Sequence, residues 1–289
     1  METITFRCKI ITPMFLAGAD GRTPELRAPS IKGALRFWWR AVHGHLSLDK
    51  LRKQEMEIFG GTGPGDNGGR RSRLIIRIPL QSDLNTYPEL LVPHKPFMKA
   101  PAIQPGSKFD VMLSLTRGLH GFGLGHLKSL FELTCILGGF GKRVRRGMGS
   151  VQIINSSFAE QPPSTIELPH IHQLISTFSR FYDVSKDEIV FNYSGRTNRY
   201  PFIKQIELGK SKSNLLRAIS NATHEVKQKD PYAYEPSMGH AYRGRFASPI
   251  YASTDDSKRV IITTLNPVPD KNEHKISRLI QEEFKEKLL

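Results

Sequence analysis

Residues 3–12 alternate apolar and polar side chains, Ile4, Phe6, Cys8 and Ile10 against Thr3, Thr5, Arg7 and Lys9. A period of two marks a strand with one buried face. Residues 30–43 switch to a helical period, with Pro29-Ser30 as the start signal. A second helical run covers 48–59 through Leu48, Leu51, Met56 and Phe59. A glycine-dense loop from Gly60 to Gly69 leads into a strand at 72–78. The proline-punctuated stretch 79–106 reads as a loop, and Phe109, Val111, Leu113 and Leu115 predict a strand over 108–116. A helix at 124–137, a loop from Gly138 to Gly149 and a strand at 150–154 complete a β-α-β-β-α-β order, that of a ferredoxin-like (RRM-like) unit.

The pattern after residue 160 is weaker. It predicts helices at 165–182, 212–228 and 272–288, and strands at 188–193, 199–206, 245–252 and 258–265. Gln161-Pro162-Pro163-Ser164 is the natural linker. The expected fold class is therefore α+β, with two tandem ferredoxin-like domains: 1–160, carrying the Gly-rich loop, and 161–289, a degenerate second copy.

Charge sharpens this picture. Lys and Arg number 42 against 27 Asp and Glu, a net charge of +15, which favours a polyanionic partner, nucleic acid before an anionic membrane. Residues 1–160 hold 23 basic and 12 acidic side chains (net +11), leaving 19 and 15 (net +4) for the rest. The main polyanion contact is expected in the first half. No apolar run approaches the roughly 18 residues of a membrane span, and the start of the chain lacks the pattern of a secretory signal, so no membrane partner and a cytoplasmic location are expected. Cys8 and Cys135 have no metal-ligand neighbours at the usual spacing and read as two buried thiols.

The densest chemistry is Gly138-Gly139-Phe140-Gly141-Lys142-Arg143-Val144-Arg145-Arg146-Gly147-Met148-Gly149. Five glycines permit positive φ and close backbone approach, and four cations fall within five positions. Phosphate-backbone binding needs such a loop, with N–H groups turned towards oxygens and Arg forks closing on them; the alternative is a turn whose charges face water. It is not a P-loop, because Arg143 follows Lys142 where Ser or Thr is required.

On helix 30–43, at about 100° per residue, Lys32, Arg36, Arg40 and His43 fall in one narrow stripe bordered by Trp39. Basic groups beside an indole suit RNA, through phosphate contact and stacking; the alternative places both Trp38 and Trp39 in the core. Together the stripe and the Gly-rich loop predict one cradle for a sugar–phosphate strand.

The remaining motifs are weaker. Asp20, in Gly18-Ala19-Asp20-Gly21-Arg22-Thr23, is either a turn former or a carboxylate for phosphodiester chemistry. Gly121-Phe122-Gly123-Leu124-Gly125-His126 lacks the glycine spacing of a dinucleotide fingerprint and reads as a helix start. The stretches 193–200 and 237–249 mix glycine, arginine and aromatics, and are either further RNA contacts or ordinary loops. The HxH pairs His43/His45 and His170/His172 have no evident third ligand, so neither a metal site nor a cofactor is expected.

The string Pro29-Ser30-Ile31-Lys32-Gly33-Ala34-Leu35-Arg36-Phe37-Trp38-Trp39-Arg40, preceded by Gly18-Ala19-Asp20 and followed by Ile58-Phe59-Gly60, resembles the signature of the RAMP proteins of CRISPR systems. The loop from Gly138 to Gly149 resembles that superfamily's Gly-rich loop, and Arg245-Phe246-Ala247-Ser248-Pro249 a segment of its second domain. The resemblance is closest to the subunit-one family of the Cmr (type III-B) effector complex. It implies a non-catalytic subunit that holds crRNA, near its 3′ end, and target RNA beside other RAMP subunits of the complex. It carries RNA contact to Lys32, Arg36, Trp39, Arg40, Lys142, Arg143, Arg145 and Arg146. The alternative is a metal-independent crRNA-processing endoribonuclease of the same fold, with His43 and then His126 as candidates for acid–base work.

Overall fold

The computed structural model describes residues 1–62, 69–79, 84–116, 121–158, 163, 165–195, 200–229, 237–240, 246–268 and 276–289. The middle of the loop 60–69, most of the expected linker 161–164 and the arginines at 196, 199, 243 and 245 lie outside them.

The first unit runs β1 (Glu2–Ile10), α1 (Ala28–Ala41), α2 (Leu48–Phe59), β2 (Leu74–Arg77), β3 (Thr86–Leu90), β4 (Lys99–Ile103), β5 (Lys108–Leu115), α3 (Leu124–Leu137), a single 3-10 turn (Val144–Arg146) and β6 (Val151–Ser156). Its antiparallel sheet has the order β2-β5-β1-β6, the ferredoxin-like arrangement, with α1 and α3 as its two crossover helices. Period two works as expected on β1: Ile4, Phe6, Cys8 and Ile10 are fully buried under the helices, and the Phe6 ring stacks on Phe131 at 4.4 Å. The opposite face carries Thr3, Thr5, Arg7, Asp110, Met112 and Gln152. With no aromatic among them, it lacks the base-stacking platform on which RRM sheets rely.

The stretch 79–106 is more than a loop. Strands β3 and β4 form a separate ribbon with Pro88 opposite Pro101. Proline removes a ladder donor and normally argues against a strand, but a two-stranded ribbon consists only of edges, where it is tolerated. The two cysteines are free and buried, and burial raises both thiol pKa values.

The second unit runs α4 (Leu168–Ser176), β7 (Tyr182–Val184), β8 (Glu188–Phe191), β9 (Ile203–Ser211), α5 (Leu215–Lys229), β10 (Ile250–Thr254), β11 (Arg259–Leu265) and α6 (Arg278–Glu286). Its sheet order is β10-β11-β9-β8-β7. From β9 onward the chain repeats β-α-β-β-α, and β8 takes the place of the missing fourth strand beside β9. The fourth slot is thus filled from upstream.

The two units share apolar contacts. One core cluster runs from Ile4 and Phe131 through Trp38 to Tyr251, Phe202 and Ile261. A polar clamp lies beside it. The Arg146 guanidinium donates to the carbonyls of Met238 (2.8 Å) and Ile250 (3.4 Å) and to the Ser248 hydroxyl (3.2 Å). Among the described residues it pairs with no carboxylate, and burial, then Arg143 and Arg145, pull its pKa down to about 9. It therefore keeps its charge at neutral pH and bridges the units through charge-assisted bonds.

Arg146→Ala leaves those acceptors unsatisfied, a loss of about 2–4 kcal/mol. At roughly 2 °C per kcal/mol for a chain of this size, thermal unfolding should show Tm lower by about 4–8 °C, whereas Arg143→Ala, at an exposed position, should leave it within about 1 °C.

Candidate nucleic-acid interface

Three segments singled out in the sequence meet in one open cleft of about 480 Å³. One wall is the 15–21 segment, the second is the face of α1 bearing Ser30, Ala34 and Phe37, and the third is the Gly-rich loop with Gly139, Gly141 and Lys142. The Tyr251 ring of the second unit closes the end. The Asp20 carboxylate is committed to its turn. It accepts the N–H groups of Arg22 (2.9 Å) and Thr23 (3.0 Å) as well as the Thr23 hydroxyl, and these bonds lower its pKa.

Four N–H groups of the Gly-rich loop turn inward to carbonyls of the protein. Phe140 N–H donates to the Gly149 carbonyl (3.0 Å), Gly149 N–H to Pro13 (3.0 Å), Lys142 N–H to Phe15 (2.9 Å) and Gly139 N–H to Thr134 (2.7 Å). The glycines serve close packing. A Cβ on Gly139, at φ 89°, would stand 2.0 Å from the Gly149 carbonyl oxygen, and one on Gly149, at φ 68°, 2.0 Å from that of Phe140. These four N–H groups are therefore taken up within the protein.

The loop's cationic side chains divide sharply. Lys142 and Arg143 are exposed. Arg145 turns inward: its guanidinium lies over the Tyr251 ring at 4.8 Å, near Phe37 at 5.8 Å, and donates to the Ser248 carbonyl at 2.5 Å. Arg146 is the clamp already described. The expectation that all four cations face a partner is corrected for these two, because the second unit supplies rings and carbonyls that satisfy them.

The α1 row requires two further corrections. Trp39 is 2% exposed and packs against His43 (4.4 Å) and Phe59 (6.2 Å), so its indole belongs to the core and offers no stacking surface along the row. The single cradle is not formed either. Lys32, Arg36 and Arg40 lie roughly 140° round the helix from the face lining the cleft. Arg36 opens instead on a second cleft, bounded by Arg52, Lys53 and Met56 of α2. Arg36 pairs with the buried Glu55 carboxylate, and Arg40 approaches it at 3.6 Å. These two arginines remain about 40% exposed, and burial together with the Arg36 charge lowers the Lys32 pKa.

A third pocket, of about 230 Å³, brings together residues that the sequence offered separately. His43 of α1's end and His126 of α3's first turn both line it, with Gln54 and Glu57 of α2 and Phe178 of the second unit. His43 Nδ1 lies 2.6 Å from the Trp39 carbonyl, which can only accept, so the proton sits on Nδ1 and Nε2 is an acceptor. His126 Nδ1 accepts the Gly123 N–H at 3.3 Å, which puts its proton on Nε2. Burial is the largest influence on His43 and lowers its pKa to about 4, against the opposing Trp39 bond. The signal for this pocket was the spacing of two His residues on two helix ends, but no sequence rule joins them.

With the fold and these clefts in view, the family follows. The RAMP superfamily model matches residues 7–152, about half of the chain. This chain belongs to the RAMP superfamily. The RAMP protein is 30% identical over 188 residues to the CRISPR system Cmr subunit Cmr1-2 of Pyrococcus furiosus, covering 53% of this chain and 96% of that protein. It is 34% identical over 195 residues to Cmr1-1 of the same organism, covering 61% of this chain and 55% of that longer relative. Among solved structures, the apo crystal structure of Cmr1 from Pyrococcus furiosus aligns over 100% of this chain and 96% of its own, with a TM-score of 0.57 and 18% identity. A chain of the type III-B Cmr-beta structure bound to cognate target RNA aligns over 99% of both chains, with a TM-score of 0.58 and 10% identity. At such identities the structural matches establish the fold of this RAMP protein. Among its described residues, no helix is long and apolar enough to cross a membrane.

His43 carries a pH signature. Its imidazole is held neutral in the fold and takes a proton near 6.5 when unfolded, so the unfolded chain binds more protons between about 6.5 and about 4. Stability should fall as pH drops through that window, by about 3 kcal/mol between neutrality and the lower end. Denaturant melts at stepped pH should show a shallower acid slope for His43→Gln, the residue left coming from His45, His94 and His170, whose pKa values burial also lowers.

Proposed function

We propose that this chain is a non-catalytic RNA-binding subunit of a type III-B (Cmr) CRISPR effector complex, holding crRNA and target RNA beside other RAMP subunits. The observation carrying the reading is the cleft in which the 15–21 segment, the start of α1 and the Gly-rich loop converge, with Lys142 at its loop side and Arg143 exposed next to it in the chain. The first turn of α1 adds positive character there: it has no side-chain cap and no acidic residue, and Ser30 lines the cleft. Of the eight expected RNA contacts, Lys142 holds the loop side, and Arg143 is exposed beside it in the chain. Lys32, Arg36 and Arg40 form a separate basic strip, while Trp39, Arg145 and Arg146 support them from inside. The RNA lies across exposed cations and is recognised through its backbone. Relatives named as Cmr1 subunits and an assembly solved with target RNA support this assignment of partners.

The endoribonuclease alternative would place its acid and base on His126 and His43, which do share a pocket. With a pKa near 4, His43 is a weak base at neutral pH. Asp20 is held as a turn former. The non-catalytic reading accounts for both.

The paired substitution Lys142→Ala, Arg143→Ala tests the reading without disturbing the clamp. RNA affinity should fall for all single-stranded sequences alike, and the slope of log K against log salt should flatten by about 1.4, since each lost phosphate contact on a single strand contributes roughly 0.7. Filter binding over a salt series measures both. An unchanged slope removes the loop from the interface.

A further inference from the structure

We infer that the pocket between α1, α2 and α3 holds one unpaired, amino-bearing purine base of the bound RNA; this rests on the RNA-binding reading above. At about 230 Å³ the pocket is smaller than the roughly 300 Å³ at which drug-sized ligands begin, so it suits a single ring system. Phe178 and the edge of Phe122 give it aromatic walls, with the buried Trp39 behind them. Stacking on such side chains is how unpaired bases are held, and a two-ring purine offers the larger surface.

Three of its polar side chains have a set donor or acceptor role, while Gln54 and Thr177 can each donate or accept. His43 Nε2 is an acceptor, His126 Nε2–H is a donor, and Glu57 adds a carboxylate. Two acceptors beside one donor match a base edge with an exocyclic amino group next to a ring nitrogen, as in adenine. Uracil has no amino group to offer. Among the described residues no Lys or Arg lines the pocket, and the Glu57 carboxylate repels phosphate, so the base and not the phosphate is the part that enters.

Cations stand at the approaches. Arg70 lies 3.6 Å from Glu57, and Arg40 stands in the last turn of α1, three residues before His43. The strip Lys32–Arg36–Arg40 therefore leads a sugar–phosphate strand to the pocket, where one base turns in. This gives the α1 row a task even though it does not join the Gly-rich loop in a common cradle.

The test uses two single-stranded RNAs of equal length, an all-uridine strand and the same strand with one central adenosine. Their charges are identical, so phosphate contacts cancel in the ratio of affinities. The parent protein should bind the adenosine strand about tenfold more tightly, the scale of one stacked base. Gln54→Trp, at an exposed α2 position whose side chain lines the pocket, should abolish that ratio by filling the space. Glu57→Gln should reduce it. The Lys142→Ala, Arg143→Ala protein should lose affinity for both strands and keep the ratio. Equal binding of the two strands by the parent, or a ratio surviving Gln54→Trp, overturns the pocket while leaving RNA binding intact. Failure of the parent to bind either strand overturns both readings.

Discussion

At the neck of the loop between α3 and β6, Gly139 and Gly149 bring their backbones so close that neither site has room for a methyl group. At Gly138 the obstacle is the Trp38 indole, whose nitrogen would lie 2.3 Å from an added Cβ. The rest of the molecule depends on this contact. It presses the loop against α1 and the 13–16 segment, and it aims the 3-10 turn Val144–Arg146 at the second unit. There Arg145 and Arg146 find the Tyr251 ring and the carbonyls of Met238, Ser248 and Ile250. A larger residue at the neck would displace the turn, and with it the clamp and the wall of the cleft together.

The cations of this chain therefore divide by partner. Arg146 and Arg145 are satisfied by carbonyls and a ring within the protein, where a charge is kept only because several acceptors converge on it. Arg36 and Arg40 are intermediate: the buried Glu55 fixes their direction and cancels part of their field, while much of each guanidinium still faces water. Lys142 and Arg143 belong to the surface. A net charge of +15 implies a polyanion, but the side chains available to one are fewer than the sequence motif contains.

The same division separates the clefts. The glycine-walled cleft is shallow in hydrogen-bonding detail and suits a backbone that is the same for every sequence. The smaller histidine pocket has oriented donors and acceptors set by bonds to Trp39 and Gly123, a geometry suited to one flat heterocycle. A RAMP protein with both could grip any strand and still register its position by one base. Its ferredoxin-like sheet, with no aromatic on its open face, is the scaffold that carries the helix ends and loops lining both clefts.

Local pattern determined much of this chain unaided. The buried faces of β1 and β5, the bounds of α2 and α3 and the β-α-β-β-α-β order follow from side-chain periodicity, because a strand or helix with one buried face must repeat its apolar residues at its own period. The resemblance to the superfamily was legible for the same reason: its signature is a contiguous string. The ribbon β3–β4 was hidden, since two prolines facing each other look like a loop until the partner edge is known. The roles of Trp39, Arg145 and Arg146 were decided only by tertiary structure. A charged or aromatic side chain has the same letter whether it meets water, RNA or another domain, and what it meets is set by residues such as Tyr251, Met238 and Phe59 that are distant in the chain or on another element.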